Sequence, residues 1–281
     1  MAGPFLATKL RAFSARLEEL GQRALASADN DAVHDLRVAL RRTRTLLDVG
    51  RDIFGRFRAD EVRRALGAVQ RATGGLRDEE ILLELVGSLV MQRPDVRGWV
   101  EARQRRERRL RTELRHILRA GQLQSARYLL DALLAFRVKP SRERRLDKFA
   151  RRAVLQAERD VARRRSCSGD AQALHRLRIA YKHLRYRAET FADILRPDVV
   201  APIVRVSSRL QSVLGEVHDV DVVTASVERA RSLPQDGRSA LLSALARVRA
   251  IRIAAFEDGT SAPSPRLQAS GTASLRNTST R

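Results

Sequence analysis

The chain has a single cysteine, Cys167, set in the connector Ser166-Cys167-Ser168-Gly169-Asp170. One thiol forms no internal disulfide and no zinc site of its own, which suits a reducing compartment. No stretch approaches the ~20 apolar residues of a membrane span, and the N-terminus has no apolar run of signal-peptide length. The expected setting is the cytoplasm, with no membrane partner. Aromatics number twelve, too few for the stacking platforms that grip single-stranded nucleic acid. Phe5, Phe13, Phe54, Phe149 and Phe191 fall at apolar helical positions and are expected in the core. Lysine is nearly missing: Lys9, Lys139, Lys148 and Lys182 are the only four. No segment alternates as a strand does, and there is no P-loop, HExxH, cysteine-ligand cluster or nucleophile–base arrangement. No catalytic residue, metal site or cofactor is therefore assigned, and the chain is read as non-enzymatic.

What is present is arginine. Fifty-five basic against 33 acidic residues give a net charge of +22. A surplus of that size points to a polyanionic partner. Hydrophobic periodicity is helical almost throughout. Helices are expected over Pro4–Ser27, from the Asp29-Asn30-Asp31 caps to about Gly50, and over Asp60–Thr73, where Gly74-Gly75 read as a C-cap. Further helices are expected over Asp78–Met91, Val96–Ala120 and Gln122–Phe136. Beyond a seam at Val138–Ser141 follow Arg142–Arg165, Ala171–Leu195, Val199–Leu214, Asp219–Arg231 and Arg238–Phe256. The charged run Arg103–Arg111 reads as a solvated face laced to Glu101, Glu107 and Glu113. From Glu257 the composition turns to Ser, Thr, Pro, Gly and Ala, and residues 257–281 are expected to be disordered.

One stretch occurs twice. His34, Arg37, Arg41 and Arg44 stand at i, i+3, i+7 and i+10, and His175, Arg178, Lys182 and Arg185 repeat those offsets 141 residues on. Such positions fall within roughly 80° of one helix face and rise about 15 Å along it. Beside each row runs an apolar stripe: Leu36, Leu40, Thr43 and Leu47, then Leu174, Leu177, Tyr181 and Leu184. Arg42 and His183, equivalent by the same shift, point about 80° to the other side of the row and reach it marginally. Thr45 and Tyr186 are equivalent too and fall near it. A row of forked cations suits an acceptor that repeats along a line, and clustered cations without an anion repel one another. If the histidines contact phosphate, affinity rises as pH drops through about 6.5.

A second pair of segments keeps the shift. Gln70, Gly74, Asp78 and Ile81 in VQRATGGLRDEEIL match Gln211, Gly215, Asp219 and Val222 in LQSVLGEVHDVDVV. Two segments sharing one offset of 141 argue for a duplicated unit, with a first half over 5–137 and a second over 141–256. Asp78 and Asp219 are read as capping the helices they begin, or as aiming an arginine of the row. A metal role for Asp78, Glu79, Glu80, Asp219 and Asp221 matches no recognised loop.

The two HxxRxxx(R/K)xxR helices, each followed by (V/L)Q-x-x-x-G-x-x-x-D, resemble the CHAD family of conserved-histidine α-helical domains over about residues 5–256. The resemblance implies an all-α fold of two helical bundles related by a pseudo-two-fold axis. It implies a basic cavity between them that binds inorganic polyphosphate, and association with polyphosphate granules. The ligands it implies are His34, Arg37, Arg41 and Arg44 with His175, Arg178, Lys182 and Arg185, flanked by Arg42 and His183. Arg77 and His218 occupy one equivalent position with different donors. The ExExK motif of fused triphosphate-tunnel relatives is absent. Two rival readings are a metal-dependent polyphosphatase or phosphohydrolase, and a nucleic-acid-binding helical protein. Oligomeric state is left open.

Overall fold

The apolar stripes predicted beside the basic rows are buried: Leu36, Leu40, Thr43 and Leu47 are fully covered, and Leu174, Leu177, Tyr181 and Leu184 nearly so. Thr43 is tolerated there because its hydroxyl donates to the Ala39 carbonyl at 2.8 Å. The computed structural model describes residues 1–26, 30–89, 94–136, 143–165 and 170–260. These form helices α1 (Ala2–Ala26), α2 (Asn30–Val49), α3 (Arg51–Phe54), α4 (Arg56–Leu89) and α5 (Pro94–Arg119). They continue as α6 (Gln122–Ala135), α7 (Leu146–Arg165), α8 (Ala171–Thr190), α9 (Pro197–Glu228) and α10 (Gln235–Thr260). No strand occurs among the described residues, and the fold is all-α.

Helix α2 lies against α1, α4 and α8, while α8 lies against α7 and α9, and α4 meets α9. The two basic helices and the two long ones thus form a four-helix ring. The 141-residue shift reappears in the bounds: Asn30–Val49 maps onto Ala171–Thr190, and Pro94–Arg119 onto Gln235–Thr260. Arg56, where α4 begins, maps onto Pro197, where α9 begins. The main apolar cluster runs through both halves, from Leu6 and Leu36 to Leu177, Phe191 and Leu214. A smaller one joins Leu82, Val86 and Trp99 to Val220, Val223, Leu241 and Leu245. Phe191 is fully buried, stacked on Phe5 at 5.7 Å and edge-on to Phe149 at 6.0 Å.

Several boundaries differ from the sequence reading. Helix α4 runs unbroken through Gly74-Gly75, and α9 through Gly215. A C-cap glycine needs a left-handed backbone, and among the described residues only Gly55 and Gly121 have positive φ. Gly74 instead lies beside α2: a Cβ there would touch the Arg37 Nη1 atom at 3.4 Å. Gly67 lies beside Arg44 in the same way, its Cβ position 3.4 Å from the guanidinium. Asp78 and Asp219 consequently lie inside helices and cap nothing. Helix α10 extends to Thr260, so residues 257–260 are helical where disorder was expected. Residues 261–281, the seam at 138–141, and Asp29 lie outside the described residues. The equivalent of Asp29, Asp170, does cap its helix, accepting from the Gln172 and Ala173 backbone N–H groups.

The charged run on α5 is laced less to its own helix than to α4. Arg103 and Arg106 converge on the buried Glu79 at 2.6 and 2.8 Å, and Arg111 reaches Glu80 at 2.9 Å. The Arg111–Glu107 pair, at 2.6 Å, is the i,i+4 contact expected on α5. These buried carboxylates fix α5 against the outside of α4 and keep its arginines away from the ring interior.

Candidate functional site

The ring of α2, α4, α8 and α9 encloses a cavity of about 350 Å³. From α2 come His34, Arg37, Val38 and Arg41, and from α8 come Arg178 and Lys182. Helix α4 adds Gln70, Arg77, Asp78 and Ile81, and α9 adds Gln211, Gly215, His218, Asp219 and Val222. Matched positions of the second repeated motif therefore form the remaining walls, among them Asp78 and Asp219, read from the sequence as caps or as aiming an arginine of the row. Arg77 and His218, passed over as site residues, face the cavity from equivalent places on α4 and α9.

The two rows act on each other. The strongest effects on the half-buried Lys182 ammonium are burial itself, then Arg41, Arg178, Arg37 and Arg44, and they hold its pKa down to about 7. Burial and Arg41 likewise lower Arg37, while burial lowers Arg178 against the opposing pull of Asp219. Five basic side chains and three carboxylates line the space. Of the three, Glu216 is paired with Arg252 at 2.8 Å, and burial pushes Asp78 and Asp219 up. The cavity is a site of concentrated, incompletely neutralised positive charge.

Positioning contacts set the arginine heads. Arg37 donates to the Gln70 carbonyl and to Thr73 Oγ1, each at 3.4 Å. Arg41 donates from Nε to the buried Tyr186 hydroxyl at 3.0 Å, which braces the guanidinium. Thr45 donates back to the Arg41 carbonyl at 3.0 Å. Arg77 is held by Glu80 at 3.3 Å.

Five sequence-assigned residues, Arg42, Arg44, His175, His183 and Arg185, stand outside the lining. Arg44 donates to Gln70 Oε1 at 2.8 Å, and Arg185 to Ser208 at 3.3 Å with Glu189 beside it at 3.3 Å. Both brace α2 and α8 against the long helices outside the cavity lining. Arg42 turns to Glu189 at 3.0 Å and lies 5.3 Å from the Tyr186 ring centre, in a separate pocket of about 190 Å³. His183, buried near Lys182 and Arg187, has its pKa lowered to about 4.

The remaining histidines differ in exposure. His34 is exposed at the cavity edge, its pKa lowered by burial of part of the ring, by Arg77 and by Arg41. His175 sits behind the lining with its Nδ1 3.1 Å from Nδ1 of His218. Burial, Arg178, His175 and Lys182 together depress His218 to about 4. The free protein thus holds these imidazoles neutral at pH 7, and the titration expected through 6.5 is displaced to lower pH. Acidic groups of the metal alternative are dispersed: Glu79 and Glu80 pair with α5, and Asp221 pairs with Arg249 at 2.6 Å.

The architecture has solved relatives. It is similar to the crystal structure of the CHAD domain from the plant Ricinus communis, with a TM-score of 0.75 at 18% identity, over 95% of this chain and 94% of that one. It is also similar to PptA from Streptomyces chartreusis, with a TM-score of 0.71 at 16% identity, over 93% and 99% of the two chains. At such identities the likeness is one of fold. No curated protein matches the sequence. The profile of the CHAD domain matches residues 8–228, and the chain belongs to the CHAD family.

Proposed function

We propose that the protein binds inorganic polyphosphate in the cavity between α2, α4, α8 and α9, without acting on it chemically. The observation that carries this reading is the meeting of both basic rows in one space, where Arg37, Arg41, Arg178 and Lys182 raise one another's electrostatic cost. A bound polyanion relieves that cost, and forked donors suit oxygens that recur along a chain. Family membership supports the same ligand. The ligand set is the cavity group His34, Arg37, Arg41, Arg77, Arg178, Lys182 and His218. Arg44 and Arg185 brace it. The shared shift of helix bounds supports descent of the two halves from one duplicated unit, related by an approximate two-fold axis. Cytoplasmic residence at polyphosphate granules is part of the proposal.

The deciding experiment is a calorimetric polyphosphate titration of the wild type and of a combined Arg37→Glu, Arg41→Glu, Arg178→Glu and Lys182→Glu variant. Loss of binding with helical content retained is expected, and unchanged affinity refutes the site. A parallel Gln series covers the case in which reversed charges unfold the protein. Released phosphate in the presence of Mg²⁺ or Mn²⁺ would favour the phosphohydrolase reading. Equal or tighter binding of duplex or single-stranded nucleic acid at matched salt would favour the nucleic-acid reading.

A further inference from the structure

We propose that Lys182 is a site of covalent acylation by small acyl phosphates drawn into the cationic cavity. The inference rests on that cavity being an anion site, and it adds a chemistry that binding alone does not require. Lys182 is the only lysine in the cavity lining; its other basic groups are four arginines, which do not act as nucleophiles at neutral pH, and the imidazoles of His34 and His218, whose acyl adducts hydrolyse in water where a lysine amide persists. Among the described residues no carboxylate closes an ion pair with its ammonium, and its strongest charged influences are the like charges Arg41, Arg178, Arg37 and Arg44. With a pKa of about 7 a large share of the amine is unprotonated near neutrality. The neighbours that suppress its proton are the same groups that would hold a phosphate beside it.

The step balances without an oxidant or a metal. The Nζ lone pair attacks the acyl carbon and forms the amide C–N bond. The C–O bond to phosphate breaks, its electron pair leaves with inorganic phosphate, and the Nζ proton passes to water. Arg41 and Arg178 would carry the leaving phosphate's charge. The amide can no longer take up the proton that a bound polyanion would favour on Lys182, so acylation lowers polyphosphate affinity.

Rates follow from the acid–base chemistry. At pH 7.5 an amine of pKa about 7 is mostly free, against about a thousandth of an ordinary lysine. Weaker nucleophilicity at lower pKa cancels roughly half of that gain on a logarithmic scale, as it does for thiols, and the charge of the bound acyl phosphate takes back a further share, leaving an advantage of roughly several-fold.

The test uses the full chain with acetyl phosphate at pH 7.5, and mass spectrometry of acetylation at Lys9, Lys139, Lys148 and Lys182. Acetic anhydride, which carries no phosphate, is the second arm, and long-chain polyphosphate is the competitor. Lys182 is expected to be acetylated roughly several-fold faster than the other three by acetyl phosphate. A smaller preference with the anhydride, and slowing by polyphosphate, are also expected. Equal rates at the four lysines, or the same preference with both reagents, would overturn phosphate-directed acylation. Selective acetylation that polyphosphate does not slow upholds acylation and counts against the polyphosphate reading. Polyphosphate binding with an unreactive Lys182 does the reverse.

Discussion

The Nδ1 atoms of His175 and His218 lie 3.1 Å apart, close enough that one proton serves both rings. Arg178 and Lys182 stand over the pair from α8 and oppose any charge on it. His218 titrates at about 4 in the free protein, below the 6.5 of an unfolded histidine. Between these values the unfolded chain binds more protons, so stability is full above about pH 6.5 and falls as pH drops towards 4. A bound polyanion raises the folded pKa, so affinity rises over the same interval. Melting temperatures from pH 7 to 4, with and without polyphosphate, should diverge on acidification. His218→Gln should flatten the ligand-free slope. A ligand-free melting temperature that climbs on acidification would contradict this account.

Gly74 and Gly215 carry the same cost. Alanine is favoured over glycine inside a helix by about 1 kcal/mol. At Gly215 nothing lies within 4 Å of a Cβ, so Gly215→Ala should stabilise by up to about 1 kcal/mol. At Gly74 the methyl meets the Arg37 guanidinium at 3.4 Å, an ordinary contact with the end of a flexible side chain. Gly74→Ala should therefore also keep or raise the melting temperature, with polyphosphate affinity held within a few-fold. Denaturant titrations paired with binding isotherms would check both.

Arg41 and Arg44 belong to one row yet should fail differently. Arg41 reaches the cavity braced by Tyr186, while Arg44 is tied to Gln70 at 2.8 Å outside it. Arg41→Met should reduce affinity about tenfold or more with little change in melting temperature. Arg44→Met should cost about 1 kcal/mol of stability and leave affinity within a few-fold. The reverse pattern would place the ligand outside the ring.

Salt offers a count of contacts. Five cations line the cavity, three carboxylates partly offset them, and each phosphate neutralised on a flexible chain releases counterions. The logarithm of affinity should fall with the logarithm of salt at a slope of about −2 to −4. A slope near zero would mean that charge does not drive binding.

The helical class, the apolar stripes and both basic rows were readable because each depends on spacing within one helix. Leu36, Leu40 and Leu47 announce their burial by period alone. The glycines misled because a glycine pair reads locally as a helix end, while packing of α4 against its neighbours carries the helix through Gly74, beside Arg37, 37 residues earlier. Arg42, already set beside the row by helix geometry, finds its partner in Glu189, 147 positions away, which no local pattern reveals. Arg77 and His218 were found as equivalent positions, but only the assembled ring turns them inward.

That inequivalence has its own consequence. Where α4 offers a permanently charged guanidinium, α9 offers an imidazole that is neutral until the medium turns acid. A linear polymer of identical units has no head or tail along most of its length, yet this passage does. Whatever lies in it is gripped at one side throughout and at the other on condition, so acidity would alter which end lets go first.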